Sequence, residues 1–321
     1  MAFSSSLTQI WPPRPTFTEK DVPSQEGRVF IVTGGNQGVG YELIKMLYPT
    51  GAVIYMASRS KERAEQAIKE IVSTDPSGSA RLRFLHLDLD DLNAVRSAAE
   101  TFSQQESRLD IIWNNAGIGS VKVGSKTKQG IEAHMGVNVI GPFLFTQLLL
   151  PKLQAAAVAS PKNSVRIIWT SSYTVESLSP NGGYNLEDIE KGGTNSAYTN
   201  YAMSKAANWM VADEAGKRYG KDGIISVAQN PGNLKTHIYD TQTKLMMFFI
   251  NWLLHPPKLG GYTELYAGLS PEITEKQQGG LIIPWGRFQA RNPREDIYKA
   301  LEEGKGKELW DWIEAQIKAH A

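Results

Sequence analysis

The chain has no cysteine among its 321 residues. That excludes a disulfide framework, a thiolate nucleophile and a Cys-ligated zinc, and it fits a reducing compartment. An excess of one charge is also lacking: 34 Lys and Arg stand against 33 Asp and Glu, a net charge of +1. With no clustered basic tract either, nucleic acid and anionic membrane surfaces are poor partners. The five histidines (His86, His134, His237, His255 and His320) show neither i, i+4 nor H-E-x-x-H spacing, so no metal site is expected.

Long apolar runs are missing as well. Val137–Leu150 is interrupted by Gly141-Pro142, and Leu245–Leu254 ends at His255-Pro256-Pro257. Both fall short of the ~20 residues of a membrane span. Residues 1–26 carry Trp11-Pro12-Pro13-Arg14-Pro15 but none of the apolar core of a secretory signal. The expectation is a cytoplasmic protein without stable membrane insertion. It would have an N-terminal extension over 1–26 and one domain over 27–321.

What is present is an alternation. Continuous apolar runs bounded by turn residues alternate with helix-period segments, as in a parallel α/β sheet. The pattern places strands at 28–32, 52–57, 82–87, 109–113, 164–170, 224–229 and 280–284. It places helices at 39–49, 61–73, 92–105, 129–151, 198–219, 262–269 and 304–319. The predicted fold is a doubly wound, seven-stranded parallel sheet of Rossmann type with helices on both faces. Two stretches, 173–196 and 237–261, read as additions to that core.

Two motifs carry the chemistry. Thr33-Gly34-Gly35-Asn36-Gln37-Gly38-Val39-Gly40 follows the first strand and opens the first helix. A glycine-rich turn there lets a pyrophosphate approach the backbone and rest on the helix N-terminus. Gly34, Gly38 and Gly40 would serve the turn, the phosphate approach and helix-on-strand packing. Asn36 and Gln37 either bond the nucleotide or solvate the loop. The second motif, Tyr201-Ala202-Met203-Ser204-Lys205, puts a phenol and an ammonium on one helix face. A nearby Lys⁺ lowers the pKa of a Tyr, making the phenol a proton donor near neutral pH.

Between them, in order, come Asp88, Asn114-Asn115-Ala116-Gly117, Asn138 and Ser171-Ser172. With these the chain resembles the short-chain dehydrogenase/reductase family in its single-domain form. In texture it is similar to the retinol-dehydrogenase-like branch and to fungal reductases of secondary metabolism. The resemblance implies Tyr201 as general acid or base and Lys205 as holder of the nicotinamide ribose. It implies Ser172, the second of its pair, as the hydrogen-bond donor to the substrate oxygen. Asn138 would anchor a water chain to Lys205. Tyr198 is no rival, since the fourth residue after it is Ala202.

The same resemblance assigns Val39 to the phosphate turn, Asp88 and Leu89 to the adenine, and Asn115, Ala116 and Gly117 to the nicotinamide riboside. Pro231, Gly232, Leu234 and Thr236 would line the carboxamide side. The second strand ends Met56-Ala57-Ser58-Arg59-Ser60-Lys61, with no acid before Glu62. An Asp or Glu there would bond the ribose of NAD, whereas an Arg fork and a Ser hydroxyl suit a 2′-phosphate. NADP(H) is the expected cofactor, with NAD as the alternative.

Met246, Met247, Phe248 and Trp252 would either cap an apolar substrate or pack as an ordinary helix. The expected activity is NADPH-dependent reduction of a ketone or aldehyde on an apolar small molecule. Alternatives are a catalytically silent nucleotide-binding regulator or scaffold, an NAD-dependent alcohol dehydrogenase, and an epimerase- or dehydratase-type relative. The long loop before Tyr201 favours a monomer over a homodimer.

Overall fold

The computed structural model describes residues 7–119, 121–235, 251–288 and 294–320. Strand β1 (Val29–Thr33) is buried along its whole length and pairs on one side with β2 (Val53–Ser58) and on the other with β4 (Ile111–Asn114). β3 (Leu82–His86), β5 (Val165–Thr170), β6 (Ile224–Gln229) and β7 (Leu281–Ile283) complete seven parallel strands. An eighth, β8 (Arg287–Phe288), closes the edge antiparallel to β7, so the seven-strand expectation is corrected to eight. Two residues are too short to show a period in sequence, and only the turn after β7 reveals them as a strand.

The strand order is β3-β2-β1-β4-β5-β6-β7-β8. The chain winds outward from β1 to β3 and then crosses back to β4. That reversal opens a crevice at the carboxyl ends of β1 and β4, where α/β sheets bind their ligands.

Helices cover both faces. One layer holds α1 (Gly38–Leu47), α2 (Lys61–Val72) and α6 (Pro257–Leu269), which bury Leu43, Ile44, Ala64 and Leu265. The other holds α3 (Leu92–Gln105), α4 (Ala133–Ala159), α5 (Ala197–Tyr219) and α8 (Lys305–Ala319), around Phe102, Phe143, Trp209 and Trp310. A further helix, α7 (Glu295–Glu302), was not anticipated.

The helix expected over 129–151 starts later and runs further. Residues 125–133 instead form a turn closed by a bridge between Lys126 and Glu132. Gly141-Pro142 does not interrupt it, because a π turn over Gly136–Ile140 lets the Gly141 N–H reach the Gly136 carbonyl. By length and composition α4 could cross a membrane, yet 78% of its apolar window is buried inside the fold. It is a core helix.

Candidate active site

The glycine turn has the geometry of a phosphate cradle. Gly34 and Gly38 take φ of +66° and +60°, which side chains disfavour. A Cβ on Gly40 would stand 2.7 Å from Asn115 Nδ2 and 2.8 Å from the Gly34 carbonyl. The first turn of α1 has no acidic residue and no side-chain cap, so its N–H groups remain available to an anion. Thr33 joins this turn to the next loop: its Oγ1 donates to the Trp113 carbonyl (3.1 Å) and accepts from the Ala116 N–H (2.9 Å). Asn115 Nδ2 donates to the Thr33 carbonyl at 2.8 Å. Asn36 and Val39 sit half-buried in the same turn.

At the end of β2, Arg59 is exposed and Ser58 is buried. Among the described residues Ser58 Oγ has no hydrogen-bond partner. An unpaired buried hydroxyl costs about 1–3 kcal/mol, so this position fits a nucleotide hydroxyl or phosphate oxygen. Sequence reasoning missed Arg63, one turn into α2, whose Nη1 donates to Gln37 Oε1 at 3.5 Å. It brings a guanidinium to the glycine turn. On the adjoining strand end, after β3, Asp88 is half-buried and its Oδ1 accepts from the Asp90 N–H (3.2 Å), while Leu89 is buried. Pro231 is half-buried, and Gly232 takes φ +95° with Trp285 where a Cβ would go. Leu234 packs where a Cβ on Gly260 would stand, near Val39. These features fit a dinucleotide.

The candidate reacting groups gather beside it. Lys205 Nζ lies 5.6 Å from the Tyr201 ring centroid and donates to the Thr170 carbonyl at 3.0 Å. Burial pulls the Lys205 ammonium down to about 8, a shift partly opposed by the charge of Glu264. Ser171 is buried and its Oγ donates to the Lys205 carbonyl at 2.9 Å, a structural brace. Ser172 is half-buried, and among the described residues its Oγ accepts a single 3.2 Å bond from the Thr174 N–H. A Cβ on Gly117 would stand 3.0 Å from Asn138 Oδ1 and 3.2 Å from Lys205 Nζ.

Asn138 lies in the π turn of α4, a distortion frequent at functional sites. Its Nδ2 donates to the Ile118 carbonyl (3.0 Å) and to Ser204 Oγ (3.0 Å), and its Oδ1 accepts from the Ile118 N–H (2.8 Å). His134, also missed, stands edge-on to Tyr201 with ring centroids 6.0 Å apart. Its Nδ1 meets Glu132 Oε1 at 2.8 Å.

Residues 7–11 lie against the carboxyl ends of β5 and β6. Gln9, 2% exposed, donates to Glu176 Oε1 and accepts from Asn230 Nδ2 (2.9 Å). His255 Nε2 meets the Ile10 carbonyl at 2.9 Å, and Trp11 stacks obliquely on Trp252 with centroids 5.7 Å apart. Thr236, Met246, Met247 and Phe248 lie outside the described residues. Among the described residues no cluster of His, Asp and Glu could hold a metal.

The comparisons with known proteins agree with this geometry. Residues 28–184 match the family model for short chain dehydrogenases. The short-chain dehydrogenase/reductase iacJ of Pestalotiopsis fici is 52% identical, covering 98% of this chain and 99% of its own. This chain belongs to the short-chain dehydrogenase/reductase family. Its activity is oxidoreduction at carbonyl or alcohol groups of small molecules. An uncharacterised Mycobacterium paratuberculosis protein superposes with a TM-score of 0.70 at 26% identity, over 94% of this chain and 97% of its own. An NADPH-bound carbonyl reductase from chicken fatty liver shares the fold, with a TM-score of 0.62 at 24% identity over 83% of this chain and all of its own.

Proposed function

We propose that this protein is an NADPH-dependent reductase of a ketone or aldehyde on a bulky apolar molecule, with Tyr201 as general acid. The observation that carries the reading is the buried Lys205 ammonium set beneath the Tyr201 ring and anchored on Thr170. When bound, the nicotinamide supplies the hydride. Reduction turns the substrate carbonyl into an alkoxide, and the Tyr201 hydroxyl gives it a proton as that charge develops. Ser172 Oγ can donate to the same oxygen, because its one bond among the described residues uses it as an acceptor. Lys205 stabilises the phenolate that remains and binds the ribose. The Asn138 side chain is committed to Ile118 and Ser204, so it braces the loop against α5.

NADP(H) is favoured by the exposed Arg59 after β2 and by Arg63 at the glycine turn, with the Ser58 hydroxyl unpaired among the described residues. An apolar substrate is favoured by Trp11 and Trp252, which are 48% and 66% exposed beside the β6 loop. Such area without charge suits a polycyclic, terpenoid or polyketide ketone. A monomer is favoured because α5 is enclosed by its own chain: Gly183 packs on Ala206 and Met210, and Gly306 on Met210. Light scattering is expected to give one chain per particle; a concentration-independent dimer would contradict that.

The test of function is absorbance at 340 nm with NADPH or NADH and a panel of bulky and small ketones. Oxidation of NADPH by a bulky ketone is expected; silence across the panel with tight NADPH binding would leave a nucleotide-binding regulator.

A further inference from the structure

We propose that Glu264 is a positioning residue for Lys205, acting from the opposite face of the sheet through Thr170 and Gln229 and setting the protonation of the lysine. The proposal rests on the reading of Lys205 given above. Glu264 sits on α6, in the layer that holds the glycine-turn helix, and is fully buried. Lys205 sits on α5, in the other layer. Thr170, the last residue of β5, touches both. Its carbonyl accepts from Lys205 Nζ (3.0 Å) and Asn208 Nδ2 (2.9 Å), while its Oγ1 donates to Glu264 Oε1 (3.1 Å). Gln229, the last residue of β6, closes the triangle: its Nε2 donates to Glu264 Oε1 (2.7 Å) and to Thr170 Oγ1 (2.9 Å). Trp113 Nε1 holds the Glu264 backbone carbonyl at 2.9 Å.

The hydrogen bonds are uneven. Oε1 accepts twice, whereas Oε2 has no partner among the described residues. That is the pattern of a neutral acid, with Oε1 as its carbonyl, since an anionic oxygen buried without a donor is expensive. Burial correspondingly pushes the Glu264 carboxyl up to about 8. Burial thus opposes charge on both groups, and once Glu264 ionises its charge helps to keep the proton on Lys205.

Among the described residues the other titratable group against Lys205 is Tyr201, whose ring centroid lies 5.6 Å from Nζ and whose phenolate would add to the charge that holds the lysine proton. β4, β6 and β7 carry no ionisable side chain, and Arg166 of β5 is spent on the carbonyls of Ala267, Ser270 and Ile273. On α1, Lys45 pairs with Glu42, and Tyr41 donates to Glu70. On α6 itself, Tyr266 donates to Glu272, and Lys258 pairs with Glu19 beside Tyr262. His134, edge-on to Tyr201, is paired with Glu132.

The test follows NADPH binding to the full chain by fluorescence of the bound cofactor, without ketone, from pH 7 to 10. Wild type, Glu264→Gln, Thr170→Val and Lys205→Met are compared. Affinity is expected to fall as Lys205 deprotonates. The midpoint should move down by about one pH unit in Glu264→Gln, in line with loss of an opposite charge. Thr170→Val should move it the same way by less, which keeps the test available if the glutamine variant does not fold. The alkaline limb of kcat should follow. A midpoint present in wild type, absent from Lys205→Met and unmoved in the other two variants overturns the Glu264 proposal alone. The same pH dependence in Lys205→Met and wild type overturns both this proposal and the role given to Lys205.

Discussion

Gly117 and Lys205 are in near contact: a Cβ added to Gly117 would stand 3.2 Å from Lys205 Nζ, and 3.0 Å from Asn138 Oδ1. The φ of Gly117 is not left-handed, so the glycine is required by space and not by backbone strain. Gly117→Ala should therefore fold normally while displacing the lysine. Because small displacements of reacting groups cost up to about 100-fold, a roughly 10- to 100-fold loss in kcat with little change in Tm is expected. Unchanged kcat would mean that the lysine has room to move.

Tyr201→Phe removes one hydroxyl from a ring held by Lys205 and His134. Folding and NADPH binding should survive, while turnover falls by the ~10²–10⁴-fold typical of general acid catalysis. Single-turnover kinetics at saturating NADPH would read this directly. Near-normal turnover would remove Tyr201 from the proton-donor role.

Arg59→Glu should erase the cofactor preference. A charge-assisted hydrogen bond contributes about 1.5–3 kcal/mol, which is roughly 10- to 150-fold in affinity. The ratio of kcat/KM for NADPH to that for NADH is the measure. Arg63→Ala should lower the same ratio, because Arg63 reaches the glycine turn at Gln37. A wild-type ratio near one would end the phosphate role of both.

Trp11→Ala and Trp252→Ala probe the substrate side, where the two rings stack. KM for a bulky ketone should rise in each, with kcat for a small test aldehyde much less affected. Their double variant should cost less than the sum, since either change breaks the same contact. Unchanged kinetics with a lower Tm would make the pair a packing contact.

The sequence by itself determined the seven parallel strands and pointed to the candidate site. Seven apolar runs are each bounded by turn residues, and period and turn chemistry are local properties of the chain. Gly34, Gly38, Gly40, Tyr201 and Lys205 stood out as candidates for the same reason, because their motifs are short spacings. The choice of Ser172 came from the family pattern, and only the fold shows that Ser171 turns inward to the Lys205 carbonyl.

What tertiary structure decided depends on residues distant in sequence. Glu264 reads as one more exposed-type acid on a helix until 94 residues of separation close to 3.1 Å at Thr170. Gln9 reads as part of a polar tail until Asn230, 221 positions away, is found bonded to it. The helix over 129–151 was misplaced because a bridge between Lys126 and Glu132 and a π turn before Pro142 override local propensity. Periodicity records which face of an element is apolar. It carries no record of which polar group the folded chain will bring to the other side of the sheet.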